Sequence, residues 1–246
     1  MAQKPTIVVV DYHKGNLSSV ARGLARAGAS AVVSDRPEQI AAADALVLPG
    51  VGSFYDAITY MAGSGQAQAI CTAIADGMPF LGICLGQQLV FERGDEGVPQ
   101  DVSCRATLAA ADAAGSNVQP GDVFEAGGKR WVRGLGALKG SCTRLDGSRL
   151  KVPHVGWDQV HPTTSGAESP LLAGFPEGAN MYFTHSYAVD EANPADIAAV
   201  THYTRSFPSV VAHENVYGCQ FHPEKSSARG LSILRNFVRI AKGARA

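Results

Sequence analysis

The stretch Met78-Pro79-Phe80-Leu81-Gly82-Ile83-Cys84-Leu85-Gly86-Gln87-Gln88 places one cysteine between a short apolar run and a segment whose apolar residues have helical spacing. We expect the apolar run to form a buried strand and Leu85 to Glu92 to form a helix. Cys84 would then lie on the turn between them, with a glycine two residues away on each side. Such a turn holds a nucleophile at the positive end of a helix, beside unpaired backbone N–H groups.

The first half of the chain alternates between apolar, β-branched runs and helical patterns. The expected strands are Ile7–Val10, Ala31–Val33 and Asp44–Leu48, and the expected helices are Leu17–Ala27, Pro37–Ala42 and, interrupted near Gly63–Gly65, Asp56–Asp76. Together with the cysteine strand, strand and helix alternate four times. This pattern predicts a mostly parallel sheet that is covered by helices on both faces.

The second half contains many short aromatic or β-branched runs, which predict further strands, some of them antiparallel. The runs are Gly156–Val160, Met181–Thr184, Ile197–Thr201, Val210–His213 and Val216–Phe221, and a closing helix is expected over Ser226–Ala241. We expect one domain over residues 1–246. A surface insertion is expected at about residues 98–132, where Ala, Gly and Asp are frequent and no periodicity is clear.

Composition narrows the range of partners and compartments. The net charge is −1, only 17% of the 246 residues are charged and no basic run occurs, which argues against nucleic acid or an anionic membrane as the main partner. The five cysteines are scattered without the short spacings of a zinc site or a disulfide framework, so no metal is expected. With no long apolar span and no room for a signal peptide before the first strand, we expect a cytoplasmic protein.

A base for the Cys84 thiol is available in Gln220-Phe221-His222-Pro223-Glu224. Residues two apart in an extended segment point the same way, so the Glu224 carboxylate can orient the His222 imidazole while the other ring nitrogen faces the thiol. The triplet alone has an equally good structural explanation, in which Pro223 ends a strand and Glu224 favours a helix start. The sequence therefore permits a Cys-His-Glu triad.

Three motifs together resemble those of the class I (triad) glutamine amidotransferases, in the order found in that family. They are Pro49-Gly50-Val51-Gly52, the nucleophile motif from Gly82 to Gln88, and the base motif from Gln220 to Glu224. The resemblance implies a flavodoxin-like three-layer α/β/α fold and hydrolysis of L-glutamine through a thioester on Cys84. It implies no metal or organic cofactor.

Within that family, the chain is most similar to the HisH glutaminase subunits of imidazole glycerol phosphate synthase. The motifs that carry this similarity are Asp11-Tyr12 with Gly15-Asn16, Phe91-Glu92-Arg93, Lys151 to Trp157, Tyr182 to Tyr187, and His222 to Ser226. The resemblance implies a heterodimer with a (β/α)8-barrel cyclase, HisF. Ammonia would pass to that cyclase without release to water, for imidazole glycerol phosphate formation in histidine biosynthesis.

The resemblance also implies roles for individual residues. An oxyanion hole would be formed by the Leu85 N–H and an amide of Gly50, Val51 or Gly52. The residues expected to hold the amino-acid end of glutamine are Gly52, Gln88, His185, Ser186 and Tyr187. The residues expected at the partner interface or the ammonia exit are Asn16, His154, Trp157 and Lys225.

The chain departs from the family pattern in three places. His13 stands where a small or apolar residue is usual, Asp158 follows Trp157 where asparagine is more frequent, and the stretch 98–132 is longer than the hairpin expected there. A buried contact through Asp158 would need a compensating cation across the interface. A lineage-specific surface loop is the simpler explanation of the long stretch.

Three alternatives stay open from the sequence. A HisH-like amidotransferase could serve another synthase, for example in a surface-sugar pathway. A second alternative is a non-catalytic binding subunit, which the presence of Cys84, His222 and Glu224 disfavours. The third is a free-standing hydrolase of amides or peptides, which would be active without a partner.

Overall fold

A nine-stranded mixed sheet forms the centre of the computed structural model, which describes residues 4–108 and 117–244. Its strands, in spatial order, are β11 (Ala179–His185), β10 (His154–Pro162), β13 (Ile197–His202), β14 (Ser206–His213), β15 (Val216–Cys219), β4 (Phe80–Cys84), β3 (Ala45–Gly50), β1 (Thr6–Val10) and β2 (Ser30–Ser34). The strands from β15 to β2 pair in parallel, whereas those from β11 to β15 pair antiparallel. The expected α/β class with a mixed central sheet is confirmed.

Helices cover both faces of this sheet. They are α1 (Leu17–Ala27), α2 (Pro37–Ala41), α3 (Phe54–Gly63), α4 (Gln66–Ala75), α5 (Leu85–Leu89), α6 (Thr164–Ala167) and α7 (Ser227–Gly243), with 3-10 turns at Pro170–Leu172, Pro194–Asp196 and Pro223–Lys225. Along β1, Ile7 and Val9 pack into the hydrophobic core that contains α1 and α7, while Val8 and Val10 pack into the core that contains α3 and α4. This alternation buries both faces of the strand. Within the described ranges, no helix is long and apolar enough to cross a membrane.

A second sheet of six strands packs beside the first. Its strands, in spatial order, are β12 (Tyr187–Ala192), β9 (Leu138–Arg144), β5 (Phe91–Gly94), β8 (Lys129–Arg133), β7 (Val123–Ala126) and β6 (Thr107–Leu108). The expected helix over Leu85–Glu92 is wrong in its second half, because α5 ends at Leu89 and Phe91–Gly94 is a strand. Pairing of β5 with β8 and β9 overrides the local helical pattern there.

The stretch 98–132 is more ordered than its composition suggests. Residues Phe124 and Trp131 face each other across the antiparallel pair β7–β8 and are buried, with Val118 and Ala126, in a small core of their own. This part is therefore not a purely irregular surface loop, whereas its origin as an insertion stays a prediction. Residues 109–116 of the same stretch lie outside the described residues.

The turn between β4 and α5 accounts for the two glycines around the cysteine. Cys84 has φ +54°, a left-handed conformation that is rare outside glycine. A Cβ atom on Gly86 would overlap the Leu48 carbonyl oxygen, and one on Gly82 would overlap the Gly86 carbonyl group. Both positions therefore need glycine, because the backbone of the turn lies directly against β3 and against itself.

We predict that Gly86→Ala lowers the free energy of unfolding by about 2 kcal/mol or more, because the new methyl group cannot be placed without moving β3 or α5. Chemical denaturation checks this. Gly63→Ala is the matched control, since no atom lies within 4 Å of the Cβ it would add, and its effect should stay within about 1 kcal/mol. Equal stability of Gly86→Ala and the parent chain would contradict the tight turn.

Candidate active site

Cys84, His222 and Glu224 meet at the carboxyl ends of the neighbouring parallel strands β4 and β15. His222 follows the end of β15 by three residues, and its Nδ1 lies 2.8 Å from Glu224 Oε1. A carboxylate only accepts, so Nδ1 carries the proton and Nε2 is the nitrogen left for other chemistry. In the described part of the chain, Nε2 has no hydrogen-bond partner of ordinary geometry. The two side chains are only 4% and 2% exposed.

The electrostatics of His222 favour its protonated form. Burial alone lowers the pKa of His222, but the neighbouring Cys84 sulfur and the hydrogen-bonded Glu224 carboxylate raise it by more, to about 10. An imidazolium between a thiolate and a carboxylate is stabilised by both. The arrangement can therefore hold a proton beside the sulfur and release it to a leaving group.

Gln220 is a contact of the Cys84 sulfur to which the sequence analysis assigned no role. Its Nε2 lies 3.5 Å from Cys84 Sγ, and its Oε1 accepts from Gln88 Nε2 at 2.9 Å. Gln88 Nε2 also donates to the Tyr187 carbonyl oxygen at 2.7 Å. The signal in the sequence is an amide side chain directly after an apolar strand and two residues before His222, and in the structure this side chain is fully buried.

A cavity of about 180 Å³ opens beside the sulfur. The residues predicted to hold glutamine all line it, namely Gly52, Gln88, His185, Ser186 and Tyr187. Cys84, Leu85 and Val51 also face this space. The structure thus brings the predicted nucleophile and the predicted substrate-binding residues to one cavity.

Glu96 lines the same cavity and was missed by the sequence analysis. Its Oε2 accepts from the Phe54 N–H at 3.2 Å. Burial raises the pKa of Glu96 to about 7, with smaller upward contributions from Asp95 and Asp56 and a downward one from the Phe54 N–H. The sequence signal for Glu96 is the acidic pair Asp95-Glu96, which directly follows Phe91–Gly94. The cavity therefore contains one carboxyl group that titrates near neutral pH.

The predicted oxyanion hole is only partly assembled. Leu85 N–H is the first amide of α5, next to the sulfur, and Gly50 is paired in register with Cys84. The Val51 N–H, however, donates to the Tyr12 hydroxyl at 3.0 Å, and that hydroxyl donates to the Val51 carbonyl oxygen at 3.2 Å. The Val51 amide is thus occupied by the buried side chain of Tyr12.

A histidine pair connects the cavity to the outer face of β10. His185 Nδ1 lies 2.8 Å from the Tyr187 carbonyl oxygen and must donate to it, so neutral Nε2 accepts from His154 Nδ1 at 3.1 Å. Burial lowers the pKa of His185 to about 3. His154 Nε2 lies 3.3 Å from Asp158 Oδ2. Burial lowers the pKa of His154, and its Nδ1 proton is donated to His185, so neutral His154 does not compensate the charge of Asp158. The need for a cation from another subunit stays a prediction.

Of the four residues predicted at a partner interface, three are exposed and one is not. Trp157 is 54% exposed and packs edge-on against Tyr182, and Lys225 lies over the Tyr182 ring at 5.8 Å. Asn16 is exposed and caps α1, whereas His154 is buried at 3% exposure. Trp157 is thus not a core residue.

Two further observations concern His13, in the loop after β1, and potential metal ligands among the described residues. His13 has φ +62°, a conformation that glycine adopts at lower cost than histidine. Among the described residues, no cluster of three or more His, Cys, Asp or Glu side chains could hold a metal ion.

Comparison with known proteins identifies the family to which the chain is similar. The family Glutamine amidotransferase class-I matches residues 8–241. The HisH subunit of imidazole glycerol phosphate synthase from Nostoc punctiforme (strain ATCC 29133 / PCC 73102) is 42% identical over 236 residues, which cover 95% of each chain. The protein of the same description from Symbiobacterium thermophilum is 42% identical over 235 residues, covering 95% of this chain and 93% of its own.

Solved structures show the same fold at lower identity. The structure of PurLQS from Thermotoga maritima matches with a TM-score of 0.65 at 15% identity, covering 97% of this chain and 99% of the other. A glutamine amidotransferase crystal structure matches with a TM-score of 0.64 at 15% identity, covering 96% and 98%. With the family match over nearly the whole length and relatives at about 40% identity, the chain belongs to the class I glutamine amidotransferases and, among them, to the family of HisH subunits.

Proposed function

We propose that the chain hydrolyses glutamine through Cys84 as nucleophile, His222 as acid and base and Glu224 as the orienting carboxylate, and passes the ammonia to a cyclase subunit. The observation that carries this proposal is the 2.8 Å contact of His222 Nδ1 with Glu224, which leaves Nε2 beside the Cys84 sulfur. The sulfur in turn borders a cavity lined by polar side chains.

In the first half of the reaction, the Cys84 thiolate attacks the side-chain amide carbon of glutamine and the electron pair of the C=O bond moves to oxygen. The Leu85 N–H stabilises this oxyanion. When the oxygen pair returns, the C–N bond breaks and His222 Nε2 gives its proton to the departing nitrogen. Ammonia and a glutamyl thioester on Cys84 are the products of this half.

In the second half, His222 is neutral and takes a proton from water as the water oxygen attacks the thioester carbon. The C–S bond then breaks, the electron pair returns to sulfur and glutamate leaves. The proton taken from water restores the imidazolium. Gln220 Nε2, at 3.5 Å from the sulfur, stabilises the thiolate at both ends of the cycle.

The amino-acid end of glutamine carries an ammonium group and a carboxylate, which need opposite partners. We assign the ammonium group to Glu96, which lines this cavity and whose pKa near 7 leaves it partly ionised at neutral pH. Gly52, Ser186 and Tyr187 provide backbone and hydroxyl contacts. Gln88 and His185 mainly shape the wall of the cavity. Gln88 Nε2 and both His185 nitrogens already have hydrogen-bond partners within the chain and are not available to the substrate.

The partner in this proposal is a HisF-like (β/α)8-barrel cyclase in a heterodimer. Support comes from relatives whose descriptions make them subunits of imidazole glycerol phosphate synthase, an enzyme of histidine biosynthesis. Exposed Trp157 and Lys225, together with Asn16, would contribute to the interface. The cytoplasm is the proposed location, as for a biosynthetic enzyme that uses free glutamine.

Completion of the oxyanion hole is the step that the partner would promote. Val51 is 42% exposed, and its N–H belongs to the peptide group that joins it to Gly50, which has no side chain to oppose a rotation of that group. The rotation would transfer the Val51 N–H from the Tyr12 hydroxyl to the oxyanion position. Its cost includes the hydrogen bond to Tyr12, which therefore lowers the activity of the chain alone.

We predict that Cys84→Ala lowers glutamine hydrolysis by the assembled complex by about three orders of magnitude or more, because no other group can form the thioester. Ammonia-dependent synthesis by the cyclase should persist. The assay compares the two nitrogen sources in the same complex, with Cys104→Ala as the control for loss of a thiol elsewhere. Glutamine turnover that survives in Cys84→Ala would refute the assignment.

We predict a pH effect for Glu224→Gln. With a pKa of about 10, His222 keeps its proton through neutral pH, so turnover falls only as pH rises toward that value. Removing the carboxylate removes one of the groups that raise the pKa, and the falling limb of the pH–kcat profile should move to lower pH. Glu168→Gln, at an exposed site, is the charge-matched control. An unmoved limb would show that Glu224 does not act on His222 in this way.

We predict that Tyr12→Phe raises glutamine hydrolysis by the chain alone by roughly two- to tenfold, because one hydrogen bond that holds the Val51 amide is lost. The rate with the cyclase present should change less. Tyr60→Phe on the exposed face of α3 is the control. A slower or unchanged chain, with folding intact, would argue against Tyr12 as a restraint.

A further inference from the structure

Lys129 links the stretch 98–132 to the active site through an ion pair with a residue next to Glu96. Lys129 begins β8, and its Nζ lies 2.5 Å from Asp95 Oδ2. The Asp95 side chain is only 16% exposed. Asp95 directly precedes Glu96, the carboxyl group that lines the cavity beside Cys84. A cation from this stretch is therefore one ion pair and one peptide unit away from the active-site carboxylate.

The β7–β8 hairpin places this lysine. Lys129 pairs with Ala126 at the end of the hairpin, and its Nζ lies over the Trp131 ring, 4.3 Å from the ring centroid. Trp131 is 7% exposed, and its Nε1–H donates to the Ala126 carbonyl oxygen at 3.2 Å. Because the ring is fixed by packing and by this hydrogen bond, the lysine is preorganised toward Asp95.

Several charged or titratable groups act on Glu96. Asp95 and Asp56 oppose its ionisation, and the Phe54 N–H favours it. Asp56 has a cation of its own, Lys14, at 3.2 Å. Tyr187 and Cys142 also interact with Glu96, and the Cys84 sulfur shares its cavity. Neutralising Asp95 is thus the means by which the hairpin can change the charge state of Glu96.

We propose that Lys129 is a positioning residue for glutamine binding, which offsets the charge of Asp95 and so keeps Glu96 ionised for the ammonium group of the substrate. This inference rests on the role of Glu96 in the proposed function. Through Lys129, the β7–β8 hairpin of the stretch 98–132 sets the pH range over which glutamine binds. Lys129 itself does not line the cavity.

Two substitutions should move the pH dependence of KM in opposite directions. For the parent chain, KM for glutamine should fall as pH rises through about 7, where Glu96 ionises. Lys129→Gln leaves Asp95 uncompensated and raises the pKa of Glu96, so the fall should occur at higher pH. Asp95→Asn removes the opposing charge and should shift the fall to lower pH.

The measurement is KM and kcat for glutamine in the assembled complex, between about pH 5.5 and 8.5. Near pH 6.5, Lys129→Gln should raise KM roughly two- to fivefold, the range expected for a partly exposed ion pair, with kcat unchanged and the difference lost at high pH. Lys129→Arg should restore the parent profile. Lys139→Gln, an exposed lysine on β9, is the control for loss of charge in the same sheet.

A shift in the same direction for Lys129→Gln and Asp95→Asn, or no shift for Lys129→Gln, would overturn the inference, because a merely structural loss does not depend on the sign of the charge removed. Glu96→Gln separates this failure from that of the proposed function. An unchanged KM in Glu96→Gln would refute the role of Glu96 in glutamine binding. A raised KM there, with an unmoved Lys129→Gln profile, would refute only the inference about Lys129.

Discussion

The turn at Cys84 is the constraint on which the rest of the site depends. Its left-handed backbone is possible because the glycines on either side let β4, α5 and β3 touch without side chains between them. The same turn places the sulfur at the edge of a cavity and puts the first amide of α5 next to it. Neighbouring strand β15 then delivers His222 to the same edge of the sheet.

Charge compensation is the second principle of the site. Buried His222 is stabilised as a cation by the Cys84 sulfur and Glu224. The charge state of partly buried Glu96 depends on whether its acidic neighbours Asp56 and Asp95 are paired with cations. Buried charges are costly without partners, and the fold gives His222 two of them, Cys84 and Glu224.

Much of this fold could be predicted from local sequence patterns, and the errors have a common cause. The bounds of α1 follow from its apolar spacing and from the glycine after it, and the structure has the same bounds. The strands β5 and β8 were missed because they exist through pairing with distant segments. The roles of Tyr12 and Glu96 were missed for the same reason. Tyr12 contacts an amide 39 positions away, and Glu96 lies two residues beyond β5, a strand that the sequence did not indicate.

The central claim is that glutamine is cleaved through a thioester on Cys84. The most direct test is to acid-quench the assembled complex during turnover and to identify glutamyl adducts on its peptides by mass spectrometry. The account predicts a glutamyl group on the peptide that contains Cys84, and none on peptides that contain the other four cysteines. Steady turnover with the adduct on another residue would contradict it.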